Sequence, residues 1–290
     1  MTETPHPKRK LFFGLFLFPL LIVVGMAALL CTVVFLTHEE ETPETLITAI
    51  KSGAPSKRWQ KAYELSNELN RKPEMIRSKT VMGEIIHILS DREHYDSKTR
   101  AYMAMALSRF REPEAVQAIR QRLALEEPEV QLHLIWALGN LDAKEGAKDL
   151  GIFLTSEDAD LRKMAVYVLG VLGDKKMASK IQPLLDDSVA DVSWNAALSL
   201  ARLGDDSGWK VLMRMLDRSN LASRGEMSKI QIENVMVNAV KAVALLNRTD
   251  GRAVLESLSK NDESLKVRQA AIEALRYKIE KSTVGAVSHG

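Results

Sequence analysis

Two patterns of apolar residues divide the chain. The first is continuous: Leu11 to Leu36 is a run of 26 residues without a charge, in which Thr32 is the only hydroxyl. The second is periodic and fills the remainder, with apolar positions three and four residues apart, so that each predicted helix carries one apolar stripe. No stretch shows the sustained alternation and β-branched enrichment of a sheet. The chain is therefore expected to be all-α.

At about 1.5 Å per residue the continuous run reaches roughly 39 Å, against about 30 Å of bilayer hydrocarbon, and this predicts a transmembrane helix over 11–36. A cleavable secretory signal has an apolar stretch of only about 7–15 residues and ends at a small-x-small site. Here Thr37, His38 and three glutamates follow instead. Lys8, Arg9 and Lys10 precede the run, in a tail over 1–10, while Glu39, Glu40, Glu41 and Glu44 follow it. The positive-inside rule then leaves the N-terminus cytoplasmic and places the remainder on the periplasmic or extracytoplasmic side of the cell (inner) membrane. Lys51, Lys57 and Arg58 work against that asymmetry. Residues 37–55 read as a juxtamembrane segment, with a short helix opened by Thr42-Pro43-Glu44 and ended near Gly53.

Beyond the run the periodic pattern itself repeats every 31 residues. Apolar knobs at Met103, Leu134, Ala165 and Ala196 are followed four residues later by Leu107, Leu138, Leu169 and Leu200. Small residues come next (Ser108, Gly139, Gly170, Ala201), and then Phe110, Leu141, Leu172 and Leu203. A fifth copy, with Ala239, Val243, Ala244 and Leu246, lies 43 residues on, which is one period plus a 12-residue insertion; a sixth holds Ala271 and Leu275. Each unit turns at Gly, Asp or Asn into a second apolar stretch, for example 114–123, 177–185 and 209–216, and Pro183 should bend the second of these. Arg58 to Leu69 resembles a first helix, with a partner over 75–90. A lone hairpin of about 30 residues cannot hide its stripe, so copies must stack. The expectation is an α-solenoid of about seven helical hairpins over 56–281, with a frayed tail over 282–290.

Charge and cysteine content narrow the functions. Past residue 36 the chain holds 37 basic and 37 acidic residues, so the surplus of cations that non-specific nucleic-acid binding needs is missing. The single cysteine, Cys31, excludes internal disulfides and cysteine zinc clusters. Its place within the apolar run makes it a small apolar filler. No G-x-S-x-G, G-x-G-x-x-G or G-x-x-x-x-G-K-[ST] string occurs. His38-Glu39-Glu40-Glu41-Thr42 fails the H-E-x-x-H zinc pattern at Thr42, and His87 and His94 are separated by a predicted helix end. Neither a cofactor nor a metal is expected, and no catalytic residue is assigned.

The stretch Asp160 to Asp187, DLRKMAVYVLGVLGDKKMASKIQPLLDD, resembles the HEAT-repeat family, in particular the short bacterial units first named from phycobilisome lyases. Arg162, Ala165, Leu169, Gly170, Leu172, Gly173 and Asp174 fall in the order of that family's pattern, with Leu161 where the pattern has valine. The resemblance covers most of 56–280. It implies a fold and leaves activity open, because such repeats serve scaffolds, chromophore lyases, an iron hydroxylase and DNA-repair glycosylases alike. What it implies by default is protein binding along the repeat surface. Hydroxylase relatives hold iron with paired His-Glu motifs, and His38-Glu39 has no second copy here.

Two residue sets follow from these readings. Arg58, Arg100, Arg162 and Arg268 stand at equivalent positions near the start of first helices and are expected to form a structural ladder of hydrogen bonds, broken at Gln131, Ser193 and Met236. Trp136 and Trp194, with Arg218, Arg224 and Lys229 of the insertion at about 217–233, are the candidate partner contacts, because Trp and Arg dominate interface hot spots and inserted loops often sit on binding faces. The expectation is a non-enzymatic, membrane-anchored scaffold or adaptor for a membrane-associated protein, with a lyase-like or auxiliary enzyme subunit as the alternative.

Overall fold

The protein is described by a computed structural model that covers residues 17–37, 42–71, 78–225, 227–246 and 248–287. It divides into two units, residues 1–45 and 46–290. In the first unit α1 (Phe18–Thr37) is a helix of 20 residues without a charge. Its large apolar side chains, among them Leu20, Leu21, Val23, Met26, Leu29 and Leu30, are exposed. The Thr32 hydroxyl donates to the Ala28 carbonyl at 2.8 Å, so it is satisfied within the helix.

Among the described residues no helix is long and apolar enough to cross a membrane. The side chains of α1 are described only as far as Val33. The stretch from Phe18 to Val33 would reach about 24 Å at 1.5 Å per residue, short of the roughly 30 Å hydrocarbon core. Residues 11–16 of the expected span lie outside the described residues, as do Lys8, Arg9, Lys10, Glu39, Glu40 and Glu41.

The second unit is helical throughout its described residues. After α2 (Pro43–Ser52) come α3 (Arg58–Arg71), α4 (Lys79–Ser90), α5 (Ser97–Leu107), α6 (Pro113–Arg122), α7 (Pro128–Asn140), α8 (Ala159–Leu172), α9 (Ala178–Ile181), α10 (Ala190–Leu203), α11 (Trp209–Leu216), α12 (Arg218–Ser223), α13 (Lys229–Leu245), α14 (Thr249–Asn261) and α15 (Leu265–Val287). First helices pack on first helices: α3 on α5, then α7, α8, α10, α13 and α15 in turn. The repeat columns are the reason. Met103, Leu134, Ala165 and Ala196, with Leu107, Leu138, Leu169 and Leu200, are all fully buried, and one core runs from Leu46 to Leu203.

The small column sets how closely the layers approach. A Cβ on Gly170 would lie 2.8 Å from the Ser199 Cα, and one on Gly139 would lie 3.1 Å from the Val168 methyls. Both contacts reach 29 residues ahead, so one geometry recurs at two junctions. Helix ends recur as well: Gly173 (φ 72°) and Gly204 (φ 80°) close α8 and α10 in the left-handed conformation, and Asp142 (φ 51°) does so one period earlier.

Four expectations are corrected. The array is not seven like hairpins: 15 α-helices, α1 included, are present among the described residues, and they differ widely in length. The second halves after α7 and α8 are largely 3₁₀, over Asp149–Thr155 and Gln182–Asp186, because Gly151 and Pro183 weaken or remove the α-helical hydrogen bonding there. Pro183 therefore ends α9 instead of bending a continuous helix. The insertion is not a loose loop, since Asp217 caps α12 through the Asn220 amide at 3.1 Å and Leu221 is buried with Ile232, Met236, Val237 and Val267. Finally, α15 continues to Val287, past the expected end at 281, because no proline follows Lys281 and the lone Gly285 costs a helix only about 1 kcal/mol. Residues 288–290 lie outside the described residues.

Candidate functional site

The ladder arginines face the turn before their own helix. Arg58 Nε donates to the Gly53 carbonyl at 3.0 Å, and Arg100 Nε to that of Tyr95 at 3.1 Å. Arg162 reaches the Ser156 carbonyl at 2.7 Å, and Arg268 that of Asp262 at 2.6 Å. Two of them also clamp the acidic turn that ends their own unit. Arg162 holds Asp187 with two bonds, at 2.8 and 3.0 Å. Arg100 is buried against Glu126, which also pairs with Arg122, and reaches Glu127 at 2.6 Å. Hydrogen bonding from Arg100, aided by Arg92, lowers the Glu127 carboxyl to about 2, and the Arg162 fork likewise holds Asp187 below the usual carboxylate range. These groups tie successive units together and present no free chemistry.

The exposed side of the first helices carries something different. At one register position stand Tyr63, Met105, Trp136, Tyr167 and Leu198, and three residues earlier stand Tyr102, His133 and Met164. All are half-buried or exposed, with Tyr63 and Tyr167 at 46% and 41%. Because i and i+3 share a helix face, the two columns merge into one aromatic and methionine band crossing α3, α5, α7 and α8, which Leu198 extends onto α10. Tyr102 touches Trp59, Tyr63 and His133, with ring centroids 6.5, 5.3 and 6.4 Å away. Beside His133 the band opens into an apolar groove of about 380 Å³ lined by Met105, Leu132, Trp136 and Met164, with Asp160 and Lys163 at its rim.

Cations sit on these rings. Lys98 Nζ lies 3.4 Å from the Trp59 centroid, Arg109 lies 5.9 Å from Trp136 and Arg202 lies 5.3 Å from Tyr167. Arg109 Nε is buried without a hydrogen-bond partner, which fits an arginine held by a ring face.

Of the candidate contacts named from sequence, only Trp136 lies in this band. Trp194 lies further along, between α10 and α13, under Arg224 at 5.4 Å. Arg218 is committed to Asp262 at 2.6 Å and Glu263 at 3.4 Å, so it ties the insertion to the last unit. Lys229 is exposed at the first turn of α13. The band residues Tyr63, Tyr102, Met105, His133, Met164 and Tyr167 are not among the buried columns that the sequence pattern picks out; the same 31-residue comparison applied to the outward columns finds all but Tyr63, which stands 42 residues before Met105. Among the described residues no group of three or more His, Cys, Asp or Glu could hold a metal ion.

The architecture is that of an all-helical solenoid of stacked repeats. A family model described as HEAT repeats matches residues 84–152 and 147–226, just under half of the chain, so this part of the protein is built of HEAT repeats. Among curated proteins none matches the sequence. Of solved structures, the complex of CpcE and CpcF of phycocyanin lyase from Nostoc sp. PCC7120 is similar over 83% of this chain and 96% of that one, at 17% identity and a TM-score of 0.54. An engineered protein matches over 82% of this chain and 96% of its own, at 18% identity and a TM-score of 0.44. Human deoxyhypusine hydroxylase matches over 82% and 84%, at 16% identity and a TM-score of 0.35. At these identities the likeness is one of fold.

Proposed function

We propose that the protein is a membrane-anchored HEAT-repeat scaffold whose aromatic band docks another membrane-associated protein. The observation that carries this reading is the band itself: half-buried or exposed Tyr, Trp and Met side chains repeat in register over four successive first helices, with Leu198 on the fifth, where solvent alone would favour polar residues. Large rings that lose few rotamers on contact are the side chains that dominate interface energetics. Stacked repeats supply a broad rigid surface for them. The similar fold in the CpcE–CpcF structure is itself found in a protein complex.

The anchor is supported by the 26 uncharged residues from Leu11 to Leu36 and by the exposed apolar side chains of α1. Confinement to the bilayer raises the effective concentration of any membrane-bound partner. The repeats then face the periplasmic or extracytoplasmic side.

Two measurements test the reading. Tyr63→Ser, Trp136→Ser and Tyr167→Ser together should abolish co-purification of the partner with the full chain extracted from membranes. Leu125→Ser with Ile152→Ser, which remove exposed apolar residues outside the band, should not. Equal recovery from both sets would refute docking at the band. Resistance of the full chain to alkaline carbonate extraction is expected from the anchor, and release into the supernatant would refute it.

A further inference from the structure

The 12-residue insertion has a consequence at the junction it crosses. Between α10 and α13, the one pair of neighbouring first helices separated by the extra helix α12, lies a cleft of about 290 Å³. Its walls combine one aromatic side chain, Trp194, with five polar ones: Asp191, Asn195, Gln231, Asn234 and Asn238. Among the described residues no lysine or arginine lines it.

Much of the hydrogen-bonding capacity of these groups remains unused. Asn195 Nδ2 donates to the Asp191 carbonyl at 2.8 Å, which leaves its Oδ1 as an acceptor. Asn234 Oδ1 accepts from Lys266 at 2.6 Å, which leaves its NH₂ as a donor. Gln231 Oε1 caps α13 through the Ser228 amide at 2.7 Å, and its NH₂ is likewise left over. The Asp191 carboxylate and the Asn238 amide add acceptors and a donor. The cleft thus offers both donors and acceptors around one space, beside an indole under Arg224 at 5.4 Å.

We propose that this cleft is a carbohydrate-binding site for a single neutral pyranose unit. Each sugar hydroxyl both donates and accepts, and carboxamides match that dual character. The C–H groups of the ring suit the indole and its apolar surroundings. Its volume lies at the lower end of the roughly 300–1,000 Å³ typical of small-ligand pockets, which fits one ring and no more. Asp191 is the one charged group among the described lining residues, and the nearby Lys266 is already engaged with Asn234 at 2.6 Å, so phosphates, carboxylates, nucleotides and anionic headgroups match the site poorly. A peptide residue brings one amide donor and one carbonyl acceptor, and would leave most of the five polar side chains unmatched. The proposal rests on the cleft and not on the docking band, with which it shares only Leu198.

The test uses the full chain in a detergent without a sugar headgroup and the methyl glycosides of glucose, mannose and N-acetylglucosamine as probes, with saturation-transfer NMR as the readout. At least one glycoside should give a saturable transfer signal. Asn238→Leu and Asp191→Ala, at exposed positions, should each weaken it at least tenfold while the far-UV spectrum is unchanged, and Tyr167→Ser should leave it as it was. The proposal fails if no glycoside binds the wild-type chain, if binding survives both cleft substitutions, or if an uncharged glycine-alanine peptide occupies the cleft and the glycosides do not.

Discussion

Arg100 shows how single residues hold the repeats in register. Its side chain and that of Glu126 are almost wholly buried and meet in an ion pair that Arg122 completes. Replacing such a pair with apolar groups can be nearly neutral, but removing one partner strands the other charge. Arg100→Ala is therefore expected to destabilise the protein by about 3–5 kcal/mol, measured as a shift of the urea midpoint at neutral pH; a change below about 1 kcal/mol would show that Glu126 finds water instead. Glu127 provides a pH test. Its folded-state carboxyl lies at about 2, against 4.5 for the free group. A lowered value stabilises the fold above pH 4.5, and the contribution is lost as pH falls from there toward 2. Since the side chain is 41% exposed, solvent screening keeps the effect small. Glu127→Gln should remove that part of the acid sensitivity and leave the rest. The ladder positions themselves were legible in sequence, because four arginines recur at one register. Their partners were not: Glu126 and Asp187 lie some 25 residues further on, and acidic residues are too common for spacing alone to select them.

At the scale of the element, close helix packing competes with helix propensity at Gly170. Alanine there would favour the isolated helix by about 1 kcal/mol. Its Cβ, however, would press on the Ser199 backbone at 2.8 Å, and backbone yields far less readily than a side-chain tip. Overpacking typically costs about 1–3 kcal/mol, so Gly170→Ala should lower the melting temperature, and an increase would refute the close approach. Gly173→Ala tests the left-handed cap. About 1 kcal/mol lost at φ 72° should lower the melting temperature by roughly 2–4 °C. The first helices were readable because four columns kept period over four units. The second halves were less so: Gly151 and Pro183 make the segments around them 3₁₀, and a short apolar pattern does not separate 3₁₀ from α. The insertion looked like a loop because its polar residues hide one buried anchor, Leu221.

Over the whole molecule, one period explains both stability and surface. Stacking places every buried column in the core and every outward column in a line, so an aromatic in one unit acquires neighbours from the next. Tyr102 meeting rings on both sides is a product of that register. A partner of the scaffold should therefore sit along this line. Site-specific photocrosslinking in intact membranes tests it most directly, with the reactive side chain placed at Tyr167 in the band or at Ile152 outside it. A discrete crosslinked product from position 167, absent at 152 and lost when Tyr63 and Trp136 are changed to serine, is the predicted result. The same product from both positions, or none from 167, would contradict it.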